Sequence, residues 1–166
     1  MLADQQFYVD RWLSSANITQ AYEHASDMHA DTSKYVAIGG SAGGGLAVSV
    51  VHKLIQNGHR DRISGLVLLA STNLQRTAMP AEYQRLPTST AENSGEIPFV
   101  TATISDGVYK LLDDNPPYNE ESKHWFPVTM GVEGVKDLPL TWILNCEKDC
   151  MRDDDRVLQA EMRMPS

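Results

Sequence analysis

Apolar positions along the chain fall into short continuous runs and longer stretches with helical spacing. Three runs, over 35–38, 63–70 and 138–146, are too brief for helices and lie between polar or turn-forming residues, which predicts three β-strands. The run at 63–70 does not alternate with polar residues, a pattern typical of a strand that helices cover on both faces. We therefore expect an α/β fold with a mostly parallel sheet of about three strands.

Between the first two runs, apolar residues recur every three or four positions, at Leu46, Ala47, Val50, Val51, Leu54 and Ile55. The polar residues Ser49, His52, Lys53 and Gln56 fall on the opposite side of a helix with this register. The spacing predicts an amphipathic helix that closes near Asn57-Gly58 and exposes its polar side. Helical patterns also cover 4–30 and 153–164, and the second of these opens with acidic residues.

These elements predict one domain in four parts. Residues 1–34 form a helical arm, residues 35–70 a strand, a tight turn, a helix and a second strand, and residues 138–166 a strand and a final helix. Residues 71–137 contain six of the eight prolines, which predicts a long irregular excursion from the sheet. Such excursions often carry substrate contacts.

Charge and composition narrow the classes of function. The chain has 166 residues, 42% of them apolar, and a net charge of -8 without a Lys/Arg run, so nucleic acid is not an expected partner. No segment approaches the roughly 20 apolar residues of a membrane span, and we expect a cytoplasmic protein. Cys146 and Cys150 lack a second Cys/His pair, which predicts free thiols rather than a zinc site. No metal or cofactor is expected.

The most informative segment is Ile38-Gly39-Gly40-Ser41-Ala42-Gly43-Gly44-Gly45-Leu46, which places Gly-x-Ser-x-Gly between a predicted strand and a predicted helix. A serine at such a turn lies on strained backbone with its hydroxyl clear of the sheet, so Ser41 is the candidate nucleophile. We expect Gly39 and Gly43 to be required because a side chain there would collide with neighbouring backbone.

The start of the helix predicts the oxyanion site. The Ala42 N–H points toward the place where negative charge develops on an attacked carbonyl, with Gly40 and Gly44 completing the turn. Neither a dinucleotide-binding loop nor a P-loop fits these glycines. A purely structural strand-to-helix turn stays open as an alternative.

This block resembles the G-D/G-S-A-G-G motif of the hormone-sensitive-lipase-like (fold-3) group of α/β-hydrolases. Two later segments, 138–142 and 147–153, are similar to that group's L-P-P-T strand and D-P-L-R-D loop, and 90–93 is similar to fungal members. The resemblance covers roughly residues 31–164. It implies a partial α/β-hydrolase fold, serine-dependent ester hydrolysis, and a small-molecule ester or other small apolar ligand.

The same resemblance implies that Asp149, the first aspartate of the D-P-L-R-D-like loop, is the acid that orients a catalytic histidine. Ser41 and Asp149 both directly follow strands predicted to be parallel, so we expect them on one rim of the sheet. Glu147 is a weaker alternative. A solvated loop acid beside the acidic residues 153–155 also stays open as an interpretation of Asp149.

Two parts of the group's machinery have no counterpart in this sequence, the upstream H-G-G-G loop and a histidine after the acid. His24 and His29 are expected across the sheet from Ser41, and His52 and His59 too far along the chain from the turn. His124, in the excursion, is the one histidine that could fold back over the strand ends, and it is the candidate substitute base.

We therefore expect a carboxylic-ester hydrolase-type protein that is weakly active or inactive alone. The missing parts predict a sequence that is shortened at both ends. They would also leave sheet edges open, which predicts a homo-oligomer or a complementing chain. The alternatives are a catalytically silent hydrolase-like module for binding or assembly, and a non-hydrolytic secondary-metabolism enzyme on the same fold.

Overall fold

The computed structural model of the protein describes residues 20–79, 81–85, 88–95, 100–114 and 123–164. Its sheet has three parallel strands in the order β1-β2-β3: β1 (Val36–Gly40), β2 (Gly65–Leu69) and β3 (Leu140–Leu144). Val36 pairs with Gly65, and Gly65 pairs with Leu140, so the strands start level with one another. The predicted α/β fold with three parallel strands is confirmed.

The described ranges contain five named α-helices: α1 (Ala42–Gln56), α2 (Ser89–Glu92), α3 (Ala102–Asp114), α4 (Val132–Val135) and α5 (Arg152–Met162). Residues 20–23 are also helical. Single 3₁₀ turns occur at Thr32–Lys34, Arg60–Arg62, Arg76–Ala78, Ala81–Tyr83, Lys123–Trp125 and Pro127–Met130. Most of these turns lie in the segment predicted as an irregular excursion. The predicted arm before residue 20 lies outside the described residues.

The hydrophobic core lies on one face of the sheet. Leu66 and Leu68 of β2 are buried there against Val51 and Leu54 of α1 and Leu158 of α5. Because side chains alternate along a strand, the residues between them point to the other face. Burial of these leucines and valines in one contiguous cluster supplies the main stabilising contribution of the fold.

The other face of the sheet, here called the open face, carries the exposed apolar side chains Val36, Ile38, Leu69, Leu140, Trp142 and Leu144. Ile38 and Trp142 are 67% and 54% exposed and lie in the same cross-strand row. The expectation that β2 is covered on both faces is therefore wrong for the described residues. The apolar residues of β2 that point to the open face are not covered by any described element.

The polar side of α1 also differs from the prediction. Ser49 and His52 are buried, because the segment after residue 123 folds over them. The Ser49 hydroxyl donates to the Trp125 carbonyl, and His52 Nδ1 lies 3.0 Å from the Gly134 carbonyl oxygen. Hydrogen bonds to the excursion thus replace the solvent that the polar spacing predicts.

No helix in the described part of the chain is long and apolar enough to cross a membrane.

Candidate active site

Ser41 occupies a sharp turn between β1 and α1. Its backbone has φ 51° and ψ -127°, a conformation that L-residues rarely adopt. The Ser41 N–H donates to the Leu69 carbonyl at 2.9 Å, and its own carbonyl accepts from the Thr72 N–H at 3.1 Å. Contacts with the end of β2 and the segment after it therefore hold the strained turn in place.

The Ser41 side chain is exposed and makes no capping hydrogen bond to the helix that it precedes. Its hydroxyl is thus not committed to the helix N–H groups, as an N-cap serine ordinarily would be. Ala42, the first residue of α1, contributes one of the N–H groups that have no partner within the helix. A hydroxyl and an N–H donor lie side by side at the positive end of the helix dipole.

The glycines of the turn have different roles. A Cβ at Gly39 would lie 2.1 Å from the Gly43 carbonyl oxygen, so a side chain there is excluded as predicted. The corresponding expectation for Gly43 is wrong, because a Cβ there would have no neighbour within 4 Å. A Cβ at Gly40 would make only ordinary contact, at 3.6 Å from the Leu69 carbonyl oxygen.

Gly44 and Gly45, at the start of α1, also leave no room for a side chain. A Cβ at Gly44 would lie 2.3 Å from the Ser71 Cβ, and one at Gly45 would lie 2.1 Å from the Thr72 carbonyl oxygen. The start of α1 therefore packs directly on the segment that follows β2. The motif Gly-x-Ser-x-Gly alone does not require these two glycines.

Asp149 lies in the loop between β3 and α5 and is partly buried. Its Oδ1 accepts from the Met151 N–H at 2.8 Å, and the Asn93 side-chain amide donates to its carbonyl at 3.2 Å. The carboxylate is thus oriented by its own loop, whereas Glu147 is exposed. Because β1 and β3 flank β2 in a parallel sheet, the loops that carry Ser41 and Asp149 leave the same rim, about 10 Å apart at two strand spacings.

The acidic residues that open α5 are not a solvated group beside Asp149, as one interpretation held. Asp153, Asp154 and Asp155 are all buried. Asp153 accepts from the N–H groups of residues 88 and 89, Asp154 from those of residues 73 and 74, and Asp155 from that of residue 71. Each carboxylate holds a different stretch of the excursion.

The electrostatic cost of this burial is visible in two of the carboxyls. Burial raises the pKa of Asp154 to about 7, against the opposing effect of its hydrogen bonds from Tyr109, Asn73 and Leu74. Burial also raises the pKa of Asp155 to about 6, and repulsion from Asp149 adds to the effect. The spacing of apolar and charged residues along the sequence does not indicate that these aspartates are buried.

All five histidines of the sequence fall within the described residues, and none follows a strand at the rim that carries Ser41. His24 and His29 precede β1, and His59 lies between α1 and β2. His52 is eleven residues into α1, roughly 16 Å from its start. The histidines of the described chain therefore lie away from the serine turn.

The candidate substitute base, His124, lies in the wrong place for that role. Its Nδ1 is 2.9 Å from the Gln56 side-chain amide, and its ring stacks on His52 at 5.7 Å between centroids. Gln56 is the last residue of α1, about 22 Å along the helix from Ser41. The excursion does fold back over the chain, but it carries His124 to the far end of the helix.

Among the described residues, no group of three or more His, Cys, Asp or Glu side chains could hold a metal ion. Cys150 is buried, Cys146 is exposed, and neither forms a disulfide.

Comparison with known proteins identifies relatives with this architecture. A curated relative, versiconal hemiacetal acetate esterase of Dothistroma septosporum, is 26% identical over 144 residues, which is 86% of this chain and 42% of the relative. The crystal structure of vibralactone cyclase superposes with a TM-score of 0.75 at 22% identity, over 90% of this chain and 43% of that one. Brefeldin A esterase, a bacterial homologue of human hormone-sensitive lipase, superposes with a TM-score of 0.70 at 22% identity, over 90% of this chain and 40% of that one.

The chain thus spans less than half the length of each of these relatives. A family model described as alpha/beta hydrolase fold matches residues 9–165, nearly the whole sequence. On this match, the chain belongs to the hormone-sensitive-lipase-like family of the α/β-hydrolase fold.

Proposed function

We propose that this protein is a carboxylic-ester hydrolase-type protein in which Ser41 is the nucleophile and Asp149 the orienting acid. One observation carries the proposal: an exposed serine hydroxyl on backbone with φ 51°, at the start of a helix, on the rim that also carries Asp149. Strained backbone of this kind persists where the surrounding structure holds it, and it concentrates at functional sites.

The chemistry follows from the positions of these groups. The Ser41 oxygen attacks the ester carbonyl carbon, and the N–H of Ala42 stabilises the negative charge that develops on the carbonyl oxygen. Gly39 and Gly44 let the turn and the start of α1 pack closely on neighbouring protein atoms, and Gly40 and Gly43 leave the chain beside Ser41 without side chains. A neutral imidazole must accept the proton of the hydroxyl and pass it to the leaving alcohol as the ester C–O bond breaks, which leaves an acyl-serine. A water that the same imidazole deprotonates then attacks the acyl-serine, and the acid leaves as the proton returns to Ser41. Asp149 would orient that imidazole.

We further propose that turnover by this chain alone is weak or absent. The histidines of the described chain lie away from the serine turn, and loss of a triad member ordinarily lowers the rate by several orders of magnitude. The substrate is a small ester. The acetate ester named in the fungal relative makes a short acyl group the first choice of probe.

The test is restoration of activity with added imidazole. Hydrolysis of p-nitrophenyl acetate by the wild-type chain should be slow. Added imidazole should raise the rate by more than the same imidazole does in buffer without protein. The increment should disappear in Ser41→Ala and fall in Asp149→Ala, and it should persist in Ser26→Ala, which removes an exposed serine on the opposite rim. An increment that survives in Ser41→Ala, or a folded wild type with none, would overturn the proposal.

A second candidate function, a silent module that assembles with another chain, is favoured by the open face. Leu140 is 86% exposed and belongs to a row of apolar side chains of the kind that marks interaction surfaces. β1 and β3 are also edge strands in the described sheet, which offers pairing to a second copy or a complementing chain. If this function holds, Leu140→Lys should weaken self-association in sedimentation while the exposed Ile104→Lys should not. Concentration-independent monomers in the wild type would count against assembly with a second copy.

A further inference from the structure

The backbone turn that presents Ser41 rests on three residues after β2: Ser71, Thr72 and Asn73, here called the support loop. Thr72 donates its N–H to the Ser41 carbonyl, and Ser71 lies against Gly44. Ala70, which directly follows β2, has φ 47°, so the chain leaves the strand through a left-handed residue that is not glycine. The support loop therefore needs an anchor of its own to keep this shape.

That anchor is a buried side chain on another element. Asp155 in the first turn of α5 is 1% exposed. It accepts from the Ser71 N–H at 3.0 Å, from the Ser71 hydroxyl, and from the Asn73 side-chain amide at 3.0 Å. A carboxylate with three donors holds both ends of the loop, leaving the middle peptide N–H, that of Thr72, for Ser41.

We propose that Asp155 is a positioning residue for the Ser41 nucleophile, acting through the support loop rather than on substrate. Two successive peptide N–H groups point in different directions. The Ser71 N–H donates to Asp155, and the Thr72 N–H donates to the Ser41 carbonyl. A shift of Ser71 would therefore carry the Thr72 N–H away from Ser41. Asp155 also lies six residues after Asp149, in the first turn of the helix that follows the acid loop.

The inference rests on the proposed function of Ser41, but its test has a part that does not. Asp155→Asn preserves the size of the side chain and places an amide against donors. Asp153→Asn is the matched control, since Asp153 lies in the same helical turn, is equally buried and holds residues 88 and 89 instead. Two readouts are compared at matched stability: the Thr72 amide proton shift by NMR, and the rate of Ser41 labelling by a fluorophosphonate with imidazole present.

The expected result is an upfield shift of the Thr72 amide proton and labelling at least tenfold slower in Asp155→Asn, with labelling within threefold of wild type in Asp153→Asn. If Asp155→Asn does not fold, Ser71→Ala removes one of the three hydrogen bonds and should give a smaller change in the same direction. An unchanged Thr72 amide proton together with an unchanged labelling rate would overturn the inference. Absence of labelling in wild type would count against the proposed function alone, because the amide shift still reports the positioning.

Discussion

His52 and His124 stack on each other with ring centroids 5.7 Å apart, at the end of α1 remote from Ser41. His52 is buried, and its Nε2 has no hydrogen-bond partner among the described residues. These two imidazoles connect the excursion to α1 and lie too far from Ser41 to accept the proton of its hydroxyl. No histidine in the described part of the chain follows a strand at the rim that carries Ser41.

Burial of His52 makes the stability of the fold depend on pH. Burial lowers the pKa of His52, against its hydrogen bond to the Gly134 carbonyl, while unfolded histidine keeps its ordinary pKa of about 6.5. Below about pH 6.5 the unfolded chain binds a proton that folded His52 resists, so this site lowers stability as pH falls. One proton contributes at most about 1.4 kcal/mol per pH unit.

His52→Phe should remove this contribution. The free energy of unfolding is measured in urea for the variant and for wild type. As pH falls from 7 to 5, the variant should become more stable relative to wild type. His29→Phe is the control, since His29 is exposed. A difference that stays constant over this range would contradict the assignment.

Glu161 in α5 should act in the opposite direction. It is 1% exposed, and neither carboxylate oxygen has a hydrogen-bond partner among the residues described. Burial raises its pKa to about 8, with a contribution from Glu82. The folded state therefore binds a proton more tightly than the unfolded state, and the stability gained is complete below about pH 4.5 and is lost as pH rises through 8.

Glu161→Gln should stabilise the protein at pH 8.5 by about 1–3 kcal/mol and by much less at pH 5, measured by urea unfolding. Glu133→Gln, at an exposed position, should change little at either pH. Equal effects of Glu161→Gln at both pH values would show that the carboxyl is not buried in its neutral form.

Two glycines of the serine turn offer a matched pair. Gly45→Ala brings a methyl group against the Thr72 carbonyl oxygen, at 2.1 Å before relaxation, and should destabilise the protein by about 1–3 kcal/mol. Gly43→Ala meets no neighbour within 4 Å and should stabilise α1 by up to about 1 kcal/mol. Thermal unfolding of both variants decides this, and equal melting temperatures would contradict the close contact between α1 and the support loop.

Local patterns in the sequence predict the strands, α1, α5 and the serine turn, because each rests on spacing or on a motif with a fixed structural context. The coverage of the polar side of α1 is not predictable in this way. Ser49 and His52 are polar at helical spacing, and their burial depends on Trp125 and Gly134, more than seventy residues away in the chain.

The same limit applies to the support of the site. Three consecutive aspartates at a helix start are typical of an exposed first turn, yet here each accepts N–H donors from a distant loop. The sequence contains the donors only as ordinary backbone, so no residue type marks them. The position of His124 is also set by long-range packing, against Gln56 and His52.

The most direct measurement is the site of fluorophosphonate attachment on the folded wild-type chain with imidazole present, read by tryptic digestion and mass spectrometry. The peptide spanning residues 35–53 contains both Ser41 and Ser49, and fragment ions distinguish them. We expect one adduct, on Ser41, and none in Ser41→Ala. An adduct on another serine, or a folded chain that stays unmodified at every pH, would contradict it.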